Sequence, residues 1–276
     1  MLPAISLDGL AAEDPVARGR YLTHAGGCMT CHTAEDEGAE PLAGGYAMKS
    51  PFGTFYSPNI TPDLETGIGA WSDDDFVNAF WEGENPDGDS YFPAFPYPSY
   101  TGMSRDDLLS IKAYLFSLEP VSLQNREHEL AWYISSRIAA GAWQLAYFDS
   151  ERFIPDASAT ESWNRGAYLV RHLGHCGECH TPRTDRGAPI RDQEMAGVEE
   201  TDELPGVPNI TPHEKDGIGK WSARDLEYFL DIGMEPDGDF TGGSMSDVIE
   251  DNTSHLTTAD RAAIVEYLQS LPALED

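Results

Sequence analysis

Apolar residues recur at helical spacing in paired stretches of this chain, and the members of each pair resemble one another. From Pro15 a short helix is predicted, with proline at its first position and Val16, Ala17, Tyr21 and Leu22 on one face. Trp163 to Leu169 echoes it: Arg18-Gly19-Arg20-Tyr21-Leu22 stands against Arg165-Gly166-Ala167-Tyr168-Leu169. A glycine inside a helix lowers its stability, so its place here predicts close approach of another helix. Ser72 and Ser222 read as N-caps with Asp75 and Asp225 three residues on. The helices they open carry Phe76, Phe80 and Trp81, or Leu226, Phe229 and Leu230, on an inward face. A closing helix follows each. Ser104 caps one bearing Leu108, Ile111, Leu115 and Leu118; Thr257 caps the other, bearing Ile264, Leu268 and Leu271.

The loops repeat as well. Pro58-Asn59-Ile60-Thr61-Pro62 returns as Pro208-Asn209-Ile210-Thr211-Pro212, and Gly67-Ile68-Gly69-Ala70-Trp71-Ser72 as Gly217-Ile218-Gly219-Lys220-Trp221-Ser222, both at an offset of 150. The turn Pro86-Asp87-Gly88-Asp89 keeps that offset at Pro236-Asp237-Gly238-Asp239. The chain is an internal duplication. Three segments are expected: one module over 1–125, a bracing helical segment and linker over 126–160, and a second module over 161–276. The middle segment carries Leu130, Trp132, Tyr133, Ile134, Ile138, Trp143, Leu145, Tyr147 and Phe148, which is too aromatic for a flexible linker.

Composition narrows the partners. Among 276 residues, 48 acids face 17 bases, a formal charge of −31. Nucleic acid and anionic membrane surfaces are repelled by such a field. A basic redox partner would be drawn in by it, and general solubility in salt is the other reading of the same acids. No apolar run is long enough to span a membrane. With 26 glycines and 19 prolines the fold is expected to be mainly α and loop-rich.

The chemistry lies in the cysteines. Cys28-Met29-Thr30-Cys31-His32 and Cys176-Gly177-Glu178-Cys179-His180 use all four in the chain. Two thiols one helical turn apart, followed at once by histidine, form the attachment pattern of c-type haem: the thiols reach the two vinyl groups and the histidine ligates iron. A single copy could be half a zinc site or a redox dithiol. Two copies in two matching modules predict two covalently bound haems c, held by Cys28, Cys31, Cys176 and Cys179, with His32 and His180 on the irons.

A six-coordinate electron-transfer haem needs a second axial ligand, and methionine raises its potential. In the second module Met245, in a Gly242-Gly243-Ser244-Met245 loop, is assigned this role. Counting forward equally far in the first module reaches Phe95, which cannot ligate. Met103, before the closing helix, is assigned there, with Met48 or a histidine as alternatives. Met1 to Leu7 lacks a basic start and a long apolar run. Since haem is attached outside the bacterial cytoplasmic membrane, a removed signal and a periplasmic protein are expected.

Taken together, the Pro-Asn-Ile-Thr-Pro and Gly-Ile-Gly-x-Trp-Ser repeats, Phe92-Pro93-Ala94-Phe95-Pro96-Tyr97-Pro98, and Gly174-His175-Cys176-Gly177-Glu178-Cys179-His180-Thr181-Pro182-Arg183 are familiar. They resemble the cytochrome c subunits of bacterial periplasmic alcohol and gluconate dehydrogenases. The resemblance implies two tandem class I cytochrome c domains, each wrapped around one haem with its first and last helices crossing. It also implies electron transfer from a dehydrogenase towards the respiratory chain or another terminal acceptor. Those subunits commonly carry three haems and a membrane anchor, whereas two motifs occur in this sequence. No convergent acid–base cluster accompanies the motifs, so catalytic activity of its own is not expected. The rival expectation is a peroxidase-like dihaem enzyme whose first haem is open.

Overall fold

The structure is a computed structural model that describes residues 14–201 and 205–275. The reading of Met1 to Leu7 lies outside the described residues. The chain forms two compact units. One comprises the described residues through Tyr97 together with Met103–Ala146; the other takes Pro98–Gly102 and the described residues from Tyr147 onward. This division departs from the expected 1–125, 126–160 and 161–276. Five residues of the first stretch belong to the second unit, and 126–146 belong to the first.

In the first unit, α1 (Pro15–Ala25) is capped by Asp14, whose carboxylate accepts from Val16 N at 3.0 Å. A short helix, α2 (Cys28–His32), carries the first cysteine motif. Strands β1 (Ala47–Ser50) and β2 (Gly53–Tyr56) form an antiparallel hairpin, with Ala47 opposite Tyr56. Next come α3 (Asp73–Trp81), α4 (Tyr97–Tyr100), which runs across the boundary between the units, and α5 (Arg105–Leu115). Glu129–Leu130, β3, pairs with β2, completing a three-stranded sheet in the order β1-β2-β3. The sequence pattern did not predict this sheet. Helix α6 (Arg137–Tyr147) buries Ala140 against Phe55 and Phe92, while Trp132, Ile138 and Leu145 remain exposed, Leu145 at 90%.

In the second unit, α7 (Glu161–Tyr168) runs directly into a π-helical turn over Leu169–Leu173. The second motif lies on α8 (Gly177–His180), and α9 (Ala223–Ile232), α10 (Ser244–Asp251) and α11 (Thr258–Ser270) follow. The fold is mostly helical with long loops, and among the described residues no helix is long and apolar enough to cross a membrane.

Each unit is built on a crossing of its first and last long helices, α1 on α5 and α7 on α11. Leu22, Leu108, Ile111 and Leu115 are buried in the first unit, and Leu169, Ile264 and Leu268 in the second. The predicted caps form. Ser72 Oγ accepts from Asp75 N at 3.1 Å while the Asp75 carboxylate accepts from Ser72 N at 2.8 Å, and Ser222 and Asp225 do the same. Ser72→Ala or Ser222→Ala should cost about 1 kcal/mol each, read as a shifted urea midpoint for one unit.

Candidate functional site

Both motifs sit on short helical turns, which puts the first and fourth residues on one face. Gly27, left-handed at φ 70°, turns the chain into α2; His175, at φ 41°, lies just ahead of Cys176. No disulfide joins any of the four cysteines. Burial, with a smaller push from Cys31, raises the Cys28 thiol to about 12; burial likewise takes Cys176 to about 12.

The histidines are held identically. His32 Nδ1 lies 2.8 Å from Pro58 O, and His180 Nδ1 lies 2.7 Å from Pro208 O. A carbonyl can only accept, so Nδ1 carries the proton and Nε2 keeps a lone pair for a metal. Burial holds both imidazoles below the usual histidine range, which keeps them neutral.

The repeated loops explain the proline carbonyls. Asn59 Oδ1 accepts from Thr61 N at 2.9 Å and Thr61 Oγ1 at 2.7 Å, while its Nδ2 donates to Val121 O at 2.7 Å. Asn209 makes the same bonds with Thr211, and its Nδ2 donates to Leu274 O at 2.8 Å. The buried amide therefore locks each Pro-Asn-Ile-Thr turn, and the carbonyl before it meets the histidine. The sequence marked this motif only as a repeat; the structure gives it the task of orienting the histidine ring.

The methionines are placed unequally. Met103 is completely buried at the entry to α5, and its carbonyl accepts from Trp81 Nε1 at 2.9 Å. Its counterpart by position is Leu256, since Ser104 and Thr257 are the respective N-caps. Met245 is half-buried on the first turn of α10, a helix where the sequence suggested a loop. That helix starts from Gly243, whose carbonyl accepts from Ser246 Oγ at 2.6 Å. Met48 lies on β1 against the Phe55–Phe92–Ala140 cluster, and Phe95 packs edge-on to Phe80 and Tyr91. Met195, which sequence reasoning missed, is as buried as Met103. It packs beside Gly177 of the second motif and holds the place that Leu42 holds in the first module. The signal was available: Thr33 Oγ1 and Thr181 Oγ1 follow the two motif histidines and accept from Leu42 N and Met195 N.

The histidines left open by the sequence have other work. His128 Nδ1 accepts from Tyr56 N at 3.1 Å, and His213 Nδ1 from Asp216 N at 3.1 Å. His172 Nδ1 faces Ser99 O at 2.9 Å.

Paired thiols beside a neutral, tautomer-fixed imidazole form a donor set that fits covalently bound haem. Comparison with known proteins bears on the same point. The cytochrome c family profile matches residues 16–119. A dihaem cytochrome c-type protein of Cereibacter sphaeroides is 40% identical over 97% of this chain and 88% of its own length. The chain belongs to the cytochrome c family. This cytochrome c is also 39% identical to the gluconate 2-dehydrogenase cytochrome c subunit of Pantoea cypripedii, over 96% of the chain and 62% of that subunit. It is 36% identical to the cytochrome c subunit of the quinone alcohol dehydrogenase of Gluconobacter oxydans, over 100% of the chain and 59% of that subunit. The chain thus spans about three-fifths of the length of these two dehydrogenase subunits. Family membership implies covalently bound haem c and supports electron transfer as the function.

Proposed function

We propose that this cytochrome c is a periplasmic dihaem electron carrier that takes electrons from a dehydrogenase partner and passes them towards the respiratory chain. The single observation that carries the reading is the duplicated donor set: two thiols and an imidazole whose Nδ1 is committed to a proline carbonyl, present in each unit. Haem held there supplies a one-electron ferric–ferrous couple. Cys28 and Cys31 would hold one haem by thioethers, and Cys176 and Cys179 the other. His32 and His180 would be the proximal ligands, with Met103 and Met245 opposite them. Methionine opposite histidine raises the potential, which suits an acceptor of electrons from a dehydrogenase.

The names of the relatives support a dehydrogenase donor and do not favour the peroxidase-like alternative. The charge of −31 supports a partner with a basic docking face, since opposite fields speed a transient encounter. Such an encounter weakens with ionic strength.

Optical and EPR spectra of Met103→Ala and Met245→Ala beside wild type test the ligand set. Each variant should lose one iron–sulfur charge-transfer band and keep the other. An unchanged Met103→Ala spectrum would pass the role to Met48 or a histidine. Rapid carbon monoxide binding by either reduced haem of the wild type at neutral pH would contradict two six-coordinate centres.

A further inference from the structure

The carbonyl that holds a motif histidine is one end of a peptide group, and in the first unit the other end is held as well. His32 Nδ1 donates to Pro58 O at 2.8 Å, and the N–H of that same peptide, on Asn59, donates to Asn125 Oδ1 at 2.7 Å. The second bond is at the short end of the N–H···O range. Asn125 Nδ2 donates in turn to Thr66 O at 3.0 Å. A carbonyl can only accept, so this contact fixes which end of the Asn125 amide faces Asn59.

Asn125 reaches the peptide because the chain doubles back after α5. Val121 N donates to Thr61 Oγ1 at 3.1 Å, Val121 O accepts from Asn59 Nδ2 at 2.7 Å, and Leu123 N donates to Thr66 Oγ1 at 3.2 Å. Thr66 is itself anchored, since Asp63 Oδ1 accepts from its N at 2.7 Å and its Oγ1 at 2.8 Å. Gly44 lies against the same peptide: a Cβ there would stand 2.4 Å from Pro58 C and 2.6 Å from Asn59 N. The peptide therefore has no room to tilt toward Gly44. All these residues belong to the first unit. Asn59, Thr61 and Thr66 are buried, whereas Asn125 is exposed apart from its amide contacts.

We propose that Asn125 is a positioning residue for His32: it fixes and polarises the Pro58–Asn59 peptide and so lowers the potential of the iron that His32 holds. The proposal rests on the reading of His32 as the proximal ligand of that iron. Hydrogen bonds in series strengthen one another. An acceptor on the peptide N–H shifts electron density toward its carbonyl oxygen, which makes Pro58 O a better acceptor for Nδ1–H. A stronger bond at Nδ1 makes Nε2 more basic. A more basic ligand favours ferric over ferrous iron, and hydrogen bonding to an axial ligand is one of the protein's means of setting a haem potential.

The test uses the holoprotein with both haems attached, the second haem serving as the reference. Asn125→Leu, close in shape but without an acceptor, should raise one midpoint in a redox titration and leave the other at its wild-type value. In the ferrous protein the His32 Nδ1–H proton resonance should move upfield while that of His180 stays in place. Asn125→Asp keeps an oxygen toward Asn59 N–H and should hold the midpoint at or below that of wild type. The proposal is overturned if Asn125→Leu leaves both midpoints unchanged or moves both alike. It is overturned equally if the midpoint rises with the His32 resonance unmoved, or if Asn125→Asp raises the midpoint as Asn125→Leu does. If the His32 ring protons of the ferrous wild type lack the ring-current shift of a haem-bound imidazole, the ligand reading has failed and the proposal falls with it, a result distinct from the others.

Discussion

A valine at Gly19 is expected to unfold the first unit and leave the second intact, and a valine at Gly166 to do the reverse. At Gly19 a Cβ would lie 1.8 Å from Ser110 O and 2.8 Å from Tyr114 Cβ. At Gly166 it would lie 2.0 Å from Ala263 O and 2.8 Å from Tyr267 Cβ. The obstructing atoms are main-chain carbonyls in the middle of a partner helix, so no rotamer change relieves them. Helices α1 and α5, or α7 and α11, must separate, and the leucine and isoleucine side chains buried between them lose contact along the crossing. A loss above about 4 kcal/mol belongs to the range of severe core disruption. It approaches the whole stability of many domains, which is about 5–15 kcal/mol. Haem analysis of purified Gly19→Val should show half the covalently bound haem of wild type, and circular dichroism should show only the melting transition of the other unit. A wild-type melt with full haem content would refute the crossing as the determinant of each unit.

The legibility of the fold follows the range of the interactions involved. Helices α3, α5, α9 and α11 were readable because a serine or threonine cap, an aspartate three residues on and a helical apolar period all lie within one short window. The glycines of α1 and α7 announced the crossing for the same reason: their cost is local even though their purpose is not. The sheet was not readable. Strands β1 and β2 have four residues each and show no clean alternation, and β3 has two, paired to β2 across more than 70 residues of chain. The π turn shows in sequence only as one surplus residue between two aligned copies.

The candidate site divides in the same way. Cysteine spacing and the following histidine are a local chemical pattern, and the local helices place them as expected. Which residue would stand opposite each motif histidine is a tertiary matter. Met103 is the fully buried candidate of the first unit, but in the second unit the fully buried methionine is Met195, beside the cysteine motif, and Met245 is only half-buried, so burial does not choose corresponding methionines in the two units. Pattern matching between modules does not choose either, because Met103 aligns with Leu256 while Met245 stands on a helix that the first module lacks. The stretch from Pro98 to Gly102 was unreadable for a related reason. Pro98–Gly102 lies among residues that the repeat assigns to the first module, but its hydrogen bonds run to Glu178, Arg152, Phe153 and His172.

Truncating Asp260 should cost the second unit about 3–5 kcal/mol, several times the loss of a helix cap. Asp260 occupies the third position of α11, where Asp75 and Asp225 close a capping box in their own helices. Here the backbone N–H still donates to Thr257 Oγ1 at 3.1 Å, but the carboxylate turns to Arg165 on the crossing helix. Arg165 Nε donates to Oδ1 at 2.9 Å and an NH2 group to Oδ2 at 2.7 Å, with the Asp260 side chain only 1% exposed. Asp107 and Arg18 repeat the arrangement in the first unit, with Nε to Oδ1 at 3.0 Å. An alanine at 260 removes the partner of a guanidinium that is itself four-fifths buried, so the cost is that of a stranded charge rather than of one hydrogen bond. Asp260→Asn keeps an acceptor but no charge and should fall between Asp260→Ala and Ser222→Ala. Because α7 leads through the π turn into the second haem motif, the urea midpoint of the second unit should drop in this order while that of the first stays fixed. If Asp260→Ala costs no more than Ser222→Ala, the paired aspartates cap their own helices and do not clamp the crossing on which each unit is built.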